Sequence, residues 1–449
     1  MNKISRRSLL ASAPLALAGV GLSKLILRSP GEGRAHAQAA GDFTGPYWLF
    51  VHASGAWDPM FMFNPTLDPM FNRAYATAPQ VSGIACAGLT LDYERLDWDP
   101  ALDFASYVLT PEQFALRHGA RMTVLNGIDT ATNNHDGGQR AMGSGRLSTG
   151  YPSLGTLIAA ARAPGLPMAY VSAGGYDATL GHLPLTRVAN AGAVGRIARP
   201  LETNPGAADT ELFHTRDTAE RIARMQRERA QAQRERQRLP ALRESMRALA
   251  DAKAGAAVLD RLVLPEPVQL NVGPLNDLQG FMQQAQTALA TFTSGLTAVA
   301  SVVLGGFDTH GNHDREQARQ VLKLLGGIDY ILAEAERQGL IDNLYVVVTS
   351  DFGRGPHYNG ENDGAGKDHW PVTSLLAFGP GITGDRTIGA TDEASLARSI
   401  DPGSLALDND GVKITPELVH LALRRVAGVA DHELSTRYAL PGETAPLFG

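Results

Sequence analysis

The sequence predicts an α/β protein in which a largely parallel sheet lies between two layers of helices. Its apolar strand-like runs are continuous and not alternating, which is typical of strands covered on both faces. Amphipathic helical patterns lie between these runs, and strands that alternate with helices favour a parallel sheet. Hydrophobic residues make up 44% and charged residues 19% of the 449-residue chain, a composition that allows a large buried core.

Each predicted element has its own local signal. Apolar runs followed by glycine or a turn predict strands at residues 48–51, 122–125, 168–171, 299–304, 344–348 and 375–378. Apolar residues at helical spacing predict helices at residues 153–161, 278–293, 314–337 and 416–425. We expect these strands to form one sheet, with helices on both of its faces.

One charged segment does not fit this alternation. Residues 216–253 contain eleven Lys or Arg and six Asp or Glu, with a single proline, Pro240. Oppositely charged residues one helical turn apart predict a solvated helical hairpin, inserted at residues 205–262. Two interpretations stay open: a solvated arm without a partner, or an arm that contacts another protein or a second copy of the chain.

The first 37 residues have the pattern of an export leader. Arg6 and Arg7 precede a weakly apolar run at residues 9–22, and Ala35-His36-Ala37 is a small-x-small cleavage pattern. We expect a twin-arginine signal peptide at residues 1–37 and a mature domain at residues 38–449, located in the periplasm or secreted. The alternative is a retained N-terminal anchor.

Charge and cysteine content exclude several functions. The chain has a formal net charge of −6, and because the leader contributes +5, the remaining residues carry about −11. Such acidity argues against a nucleic-acid-binding groove, which needs a basic surface. The single cysteine, Cys86, excludes a disulfide framework and a cysteine-based metal cluster. No apolar run after the leader is long enough to span a membrane.

Carboxylates follow three of the predicted strands. Asp58, Asp308 and Asp351 each stand just past the end of an apolar run. In open α/β sheets, ligands bind outside the carboxyl ends of the strands. Three acids gathered at that edge would repel one another unless a cation or a proton compensates them. For each acid taken singly, a helix cap or a loop carboxylate is the alternative.

Histidines stand close to these acids in sequence. His310 follows Asp308 by two residues, with His313 as an alternative, and His369 comes directly after Asp368. Carboxylates and imidazoles together bind Zn, Mn or Fe(II), and with fewer histidines Ca or Mg. We therefore predict a shared divalent metal site formed by the three acids and these histidine-bearing loops.

Four motifs resemble a known family. They are GAWD at 55–58, GGFDTH at 305–310, TSDFGRGP at 349–356 and GKDHWP at 366–371. In this order they resemble an exported bacterial domain-of-unknown-function family within the alkaline phosphatase/sulfatase superfamily, over roughly residues 47–441. The resemblance implies an alkaline-phosphatase-like fold. It also implies that Asp58, Asp308, His310, Asp351 and His369 take the metal-ligand positions of that superfamily.

Two departures from the superfamily pattern bear on the chemistry. Phe352 follows Asp351 where a two-metal phosphatase would place a ligand histidine, so we expect one ion per chain instead of two. Asn134 stands where relatives place a serine, just before His135, and an amide cannot attack phosphorus or sulfur. His135 itself is predicted as a catalytic residue or ligand, with a helix-start role as the alternative.

Two basic residues complete the predicted site. Arg354 and Lys367 lie in glycine-rich loops beside the acids, and each is predicted to pair with an oxyanion, Arg354 in bidentate fashion. Bracing of the loops is the alternative role for both. We predict a metal-dependent hydrolase of a phosphate or sulfate ester, acting on a small molecule or a polymer through metal-activated water. The alternative is a non-catalytic exported binding or assembly protein on a hydrolase scaffold.

Overall fold

The computed structural model describes residues 43–188, 195–196, 199, 201–204, 210–240, 242–243, 245–247, 250, 259 and 261–449. The predicted leader at residues 1–37 and much of the predicted insertion lie outside this described part. Both therefore stay predictions.

The elements follow one another in the order that the apolar runs predict. The strands are β1 (Tyr47–Ala53), β2 (Gln80–Val81), β3 (Ile84–Ala85), β4 (Thr123–Asp129), β5 (Tyr170–Ser172), β6 (Leu185–Arg187), β7 (Val299–Leu304), β8 (Leu344–Ser350), β9 (Gly353–Tyr358), β10 (Lys367–Trp370), β11 (Val372–Phe378), β12 (Arg386–Ile388), β13 (Ser399–Ile400) and β14 (Val412–Lys413). The helices are α1 (Pro111–His118), α2 (His135–Ser144), α3 (Leu154–Arg162), α4 (Arg216–Arg236), α5 (Asn276–Thr293), α6 (His313–Arg337), α7 (Pro416–Val426) and α8 (Glu433–Arg437).

Eight strands form the central sheet, in the order β12-β4-β11-β8-β1-β7-β5-β6. Strand β11 is antiparallel to both of its neighbours, and the other pairs are parallel. The largely parallel sheet predicted from the sequence is therefore confirmed. Strand β1 lies at the centre, between β7 and β8.

Both faces of the sheet are covered, which explains why its strands are continuously apolar. Leu49 and Val51 of β1 pack in one core, together with residues of α1, α5 and α6. Trp48 points to the opposite core, where it meets residues of α3 and α7. Successive side chains of a strand alternate between faces, so a strand buried on both sides needs apolar residues at every position. The three-layer α/β/α class is confirmed.

The sequence analysis missed α1 and α2, although α1 carries a recognisable start signal. Thr110 accepts a hydrogen bond from the Gln113 backbone, and the Gln113 side chain bonds back to the Thr110 backbone. This capping box, followed by Pro111 at the first helical position, is typical of a helix start. Short helices with small residues, such as α2, lack the long apolar periodicity on which the predictions relied.

Helix α4 is a long helix whose surface is almost entirely solvated. Thr215 caps its N-terminus, and Ala219 is its buried residue. Its charged composition agrees with a helix inside the predicted insertion, whose second half lies partly outside the described residues. Within the part of the chain that the structure describes, no helix is both long and apolar enough to cross a bilayer.

Candidate metal centre

The site lies where the three central strands end. Ala53 at the end of β1 is in register with Leu304 of β7 on one side and with Ser350 of β8 on the other. The three acids that follow these strands therefore start from one edge of the sheet, as the sequence predicts. In the structure, each of the three acids contacts a different set of side chains.

Three side chains form a compact group, which we call the metal group: His135, Asp308 and His369. One possible ligand atom from each lies within 4.8 Å of those of the other two. The Nε2 atoms of His135 and His369 are 3.5 and 3.2 Å from Asp308 Oδ1. His310 lies beside this group, with its Nε2 atom 3.1 Å from the same oxygen and 2.9 Å from His369 Nε2.

The hydrogen bonds of the two histidines determine where their lone pairs point. His135 Nδ1 is 2.6 Å from Asp351 Oδ2, and His369 Nδ1 is 2.8 Å from the Asn133 carbonyl oxygen. Both partners are acceptors, so in the neutral form of each ring Nδ1 carries the proton and Nε2 is left with a lone pair. Two lone pairs thus face the Asp308 carboxylate. His135 Nε2 is buried and has no hydrogen-bond partner among the described residues.

Asp351 holds His135 in place from a fully buried position. Its Oδ2 atom accepts from His135 and from the Gly55 backbone N–H at 3.0 Å, and its Oδ1 atom is 2.7 Å from His52 Nε2. Burial alone would raise the pKa of Asp351, but the contacts with His52 and His135 outweigh it and lower the pKa. Asp351 Oδ2 is therefore engaged by two donors, whereas Oδ1 lies close to His52 without the geometry of a hydrogen bond. The predicted role of Asp351 as a metal ligand stays a prediction.

Phe352 forms the apolar wall behind the metal group. Its ring centroid is 4.9 Å from that of His135 and 4.7 Å from that of His369, and the side chain is fully buried. The residue at which the superfamily pattern would place another ligand thus packs against two imidazoles and keeps water from that side.

Arg354 anchors the remaining member of the group, Asp308. Its guanidinium contacts Asp308 Oδ1 and donates to the carbonyl oxygens of Gly55, Ala56 and Lys367. Burial would raise the pKa of Asp308, but Arg354 lowers it to about 2, so this carboxylate stays ionised. The oxyanion role predicted for Arg354 is not supported by these contacts, because the buried donors already have acceptors.

Lys367 and Asp58 form a separate buried cluster with His313. Lys367 Nζ is 2.7 Å from Asp58 Oδ2 and 2.7 Å from the Phe71 carbonyl oxygen, and His313 Nε2 is 3.0 Å from the same carboxylate. Burial favours the neutral acid, yet the lysine and the histidine lower the pKa of Asp58 to about 2. Lys367 is thus a bracing residue by its contacts, and Asp58 lies outside the metal group.

Each strand-end acid therefore has its own set of polar partners. Lys367 compensates Asp58, Arg354 compensates Asp308, and two histidines surround Asp351. The sequence argument, that a cation or a proton must compensate the three acids gathered at this edge, is revised accordingly. An argument for a cation at this edge therefore has to rest on the His135, Asp308 and His369 group, and not on repulsion among three carboxylates.

Asn134 has a structural role at the start of α2. Its Oδ1 atom accepts from the Gly137 backbone N–H at 3.1 Å, which is the usual function of an N-cap residue. The cap positions His135 as the first residue of the helix, where its Nδ1 atom reaches the carboxylate of Asp351, just after β8. His52, which the sequence analysis missed, could have been noticed as the polar residue of an otherwise apolar strand β1.

Fold and site together define an α/β/α sandwich that carries a His-Asp-His group at the carboxyl edge of its central strands. The chain belongs to the family described as "Protein of unknown function (DUF1501)", which matches residues 109–406. That span includes the whole metal group and excludes His52 and Asp58. The predicted membership of a domain-of-unknown-function family is confirmed, and no curated protein matches the chain.

The chain is also similar to several solved structures. One is the alkaline phosphatase from the Antarctic bacterium TAB5, at 12% identity over 76% of this chain and 93% of that chain, with a TM-score of 0.32. Another is Ps i-CgsB in complex with k-i-k-neocarrahexaose, at 9% identity over 90% and 75%, with a TM-score of 0.38. A third is the lipoteichoic acid synthase LtaP from Listeria monocytogenes, at 8% identity over 88% and 74%, with a TM-score of 0.30.

Proposed function

We propose that the metal group binds one divalent ion and that the chain uses it to hydrolyse a phosphate or sulfate ester. One observation carries the proposal: two imidazole lone pairs, their Nδ1 protons held by acceptors, face the carboxylate of Asp308. Histidine ligands in metalloproteins usually donate their other N–H to a carboxylate or a backbone carbonyl in this way. The orphaned Nε2 atom of His135 is then a ligand atom.

The donor set selects among the predicted ions. Two imidazoles and one carboxylate favour Zn, Mn or Fe(II), since Ca and Mg prefer oxygen ligands. Three protein ligands leave a coordination position open, as catalytic sites do. When bound, the ion would supply Lewis acidity toward an ester oxygen and would lower the pKa of a water molecule.

The residues around the group prepare it for this role. Asp351 and the Asn133 carbonyl keep the two rings in the tautomer that presents Nε2, and Arg354 holds Asp308 in its charged form. Asn134 offers no hydroxyl and its oxygen caps α2. The attacking group is therefore water and not a side chain of the helix start.

We expect hydrolysis of p-nitrophenyl phosphate or p-nitrophenyl sulfate by protein loaded with Zn or Mn. His369→Ala should lower kcat/KM at least about 100-fold, the order of loss seen when an electrostatic group of an active site is removed. Asn134→Ala should keep kcat within about threefold, since it removes a helix cap that contributes about 1 kcal/mol to stability. Release of p-nitrophenol reports both.

A loaded protein that hydrolyses no ester in a broad screen would overturn catalysis while leaving the metal site intact. The alternative, a non-catalytic binding or assembly protein, would then take its place. The absence of a nucleophilic side chain at Asn134 is the observation that favours this second function.

We further propose that the chain acts outside the cytoplasm, because Arg6, Arg7 and the Ala35-His36-Ala37 pattern match a twin-arginine leader. Replacing both arginines with lysine should leave uncleaved precursor in the cytoplasm. N-terminal sequencing of the exported wild-type protein should find a start near Gln38. Normal export of the double variant would contradict this route.

A further inference from the structure

A cavity lies between the central sheet and the helices α2, α3 and α7. Its wall includes Phe50 and His52 of β1, Tyr170 of β5, Ser301 of β7 and His420 of α7. The volume of the cavity that the centres of water-sized molecules can reach is about 40 Å³. At roughly 10–15 Å³ for each water, this is room for about three.

His420, one of the residues that line the cavity, carries a buried acceptor that lacks a donor. His420 is 2% exposed, and its Nε2 atom donates to the Met142 carbonyl oxygen at 2.9 Å. Burial lowers the pKa of His420 to about 4, so the ring is neutral at physiological pH. Its Nδ1 atom therefore carries a lone pair and no proton, and this atom has no hydrogen-bond partner among the described residues. A buried acceptor left without a donor is costly, so the site favours an occupant that donates.

The rest of the wall determines what kind of donor fits. Among the described residues that line the cavity, none is an Asp, Glu, Lys or Arg. Aliphatic and aromatic side chains supply much of the surface, including Met142, Leu154 and Val419. Opposite these, the hydroxyls of Tyr170 and Ser301 are hydrogen-bonded to each other at 2.6 Å. A charged ligand would lose its hydration with no opposite charge to compensate it. An uncharged ligand with an apolar body and a hydroxyl group has less hydration to lose, and its hydroxyl can form a hydrogen bond in the cavity.

We propose that this cavity is a binding site for a small uncharged alcohol of about four non-hydrogen atoms, whose hydroxyl donates to His420 Nδ1. The site is distinct from the metal group, although His52 belongs to both surroundings. One side of His52 lines the cavity, and its Nε2 atom contacts Asp351, which holds His135. The proposal does not depend on the proposed function, because none of the metal group lines the cavity.

The test uses 2-propanol and xenon as probes of the full-length protein, with and without added Zn. We expect saturable millimolar binding of 2-propanol, seen as shifts of the His420 ring resonances and as electron density beside Nδ1. His420→Leu should weaken 2-propanol binding at least about tenfold, because it removes the acceptor. His420→Gln, which keeps a carbonyl acceptor, should stay within about threefold of the wild type.

Xenon controls for the shape of the cavity and for folding. It should bind wild type and His420→Leu alike, since it needs apolar space and no acceptor. Val419→Ile should lower the binding of both probes by filling the space. The proposal is overturned if the crystals hold only water beside Nδ1, if 2-propanol shows no saturable shift, or if His420→Leu binds it as well as the wild type does.

Discussion

Replacing Asp308 with alanine should weaken the binding of Zn or Mn at least about 100-fold. Loss of a residue that merely orients a ligand already costs about 10–100-fold in metal affinity, and Asp308 supplies the charge that both lone pairs face. The loss of metal affinity in Asp351→Asn, which changes the hydrogen-bond partner of His135, should lie in this range of about 10–100-fold. Calorimetric titration gives the affinities, and elemental analysis should find about one ion in each wild-type chain.

Asp368→Ala is the matched control for the charge. This aspartate precedes His369, its side chain is 79% exposed, and its Oδ1 atom is 3.5 Å from His310 Nδ1. It lies outside the metal group, so its removal should change the affinity by less than about threefold, as expected for a screened surface charge.

Metal binding should also increase the stability of the folded protein. An ion that binds only the folded chain raises the melting temperature, and a chelator reverses the effect. Binding should weaken as the solution is acidified, because imidazole nitrogens bind metal only when deprotonated. A wild-type protein that holds no ion and melts at the same temperature with and without chelator would rule out the metal site.

The sheet could be predicted from the sequence because its signal is local. Strands covered on both faces are apolar at every position, so runs such as residues 299–304 can be recognised without knowing their neighbours. The same holds for α6, whose predicted bounds differ from the observed ones by one residue. The order of strands does not follow from such runs, because pairing depends on how the connecting helices pack.

The candidate site could be predicted only in part, because its partners are distant in sequence. The position of the acids after the strands places them at one edge of the sheet, and this much is readable from the chain. The partner of each acid cannot be read from the chain in this way, because Lys367 is 309 residues from Asp58 and His135 is 216 residues from Asp351. The sequence thus identifies residues of the site, but it leaves open whether Arg354 and Lys367 bind an oxyanion or brace the loops, and whether His135 is a ligand or a helix-start residue.

The pair of Asp58 and Lys367 should have the largest effect on stability of any single contact in the site. Both side chains are fully buried, and Nζ is 2.7 Å from Oδ2. Lys367→Met removes the charge and leaves a buried carboxylate without its main counter-ion. Breaking one partner of a buried ion pair costs about 3–5 kcal/mol, so the urea midpoint of unfolding should fall sharply at pH 7.

The pH dependence of the variant should be opposite to that of the wild type. In the wild type the pKa of Asp58 is lowered from 3.8 to about 2, so its contribution is complete above about pH 4 and is lost as pH falls through about 2. In Lys367→Met, burial, the largest influence on Asp58, is opposed by the contact with His313 but no longer by the lysine, so we expect the pKa of Asp58 to rise. The loss of stability relative to the wild type should therefore shrink as the pH is lowered toward 4.

Two further variants separate the charge from the packing. Lys413 and Asp129 form a lysine–aspartate pair at 3.2 Å in which the lysine side chain is 51% exposed, so Lys413→Met should cost less than about 1 kcal/mol. Adding Asp58→Asn to Lys367→Met removes the unpaired charge and should restore most of the lost stability, because replacing both partners of a buried pair often leaves the stability unchanged.

Equal unfolding midpoints for Lys367→Met and Lys413→Met at pH 7 would show that the buried pair does not stabilise the fold. In that case the low pKa of Asp58 would need another cause, and His313, whose Nε2 atom is 3.0 Å from the same carboxylate, is the remaining contact that could provide it.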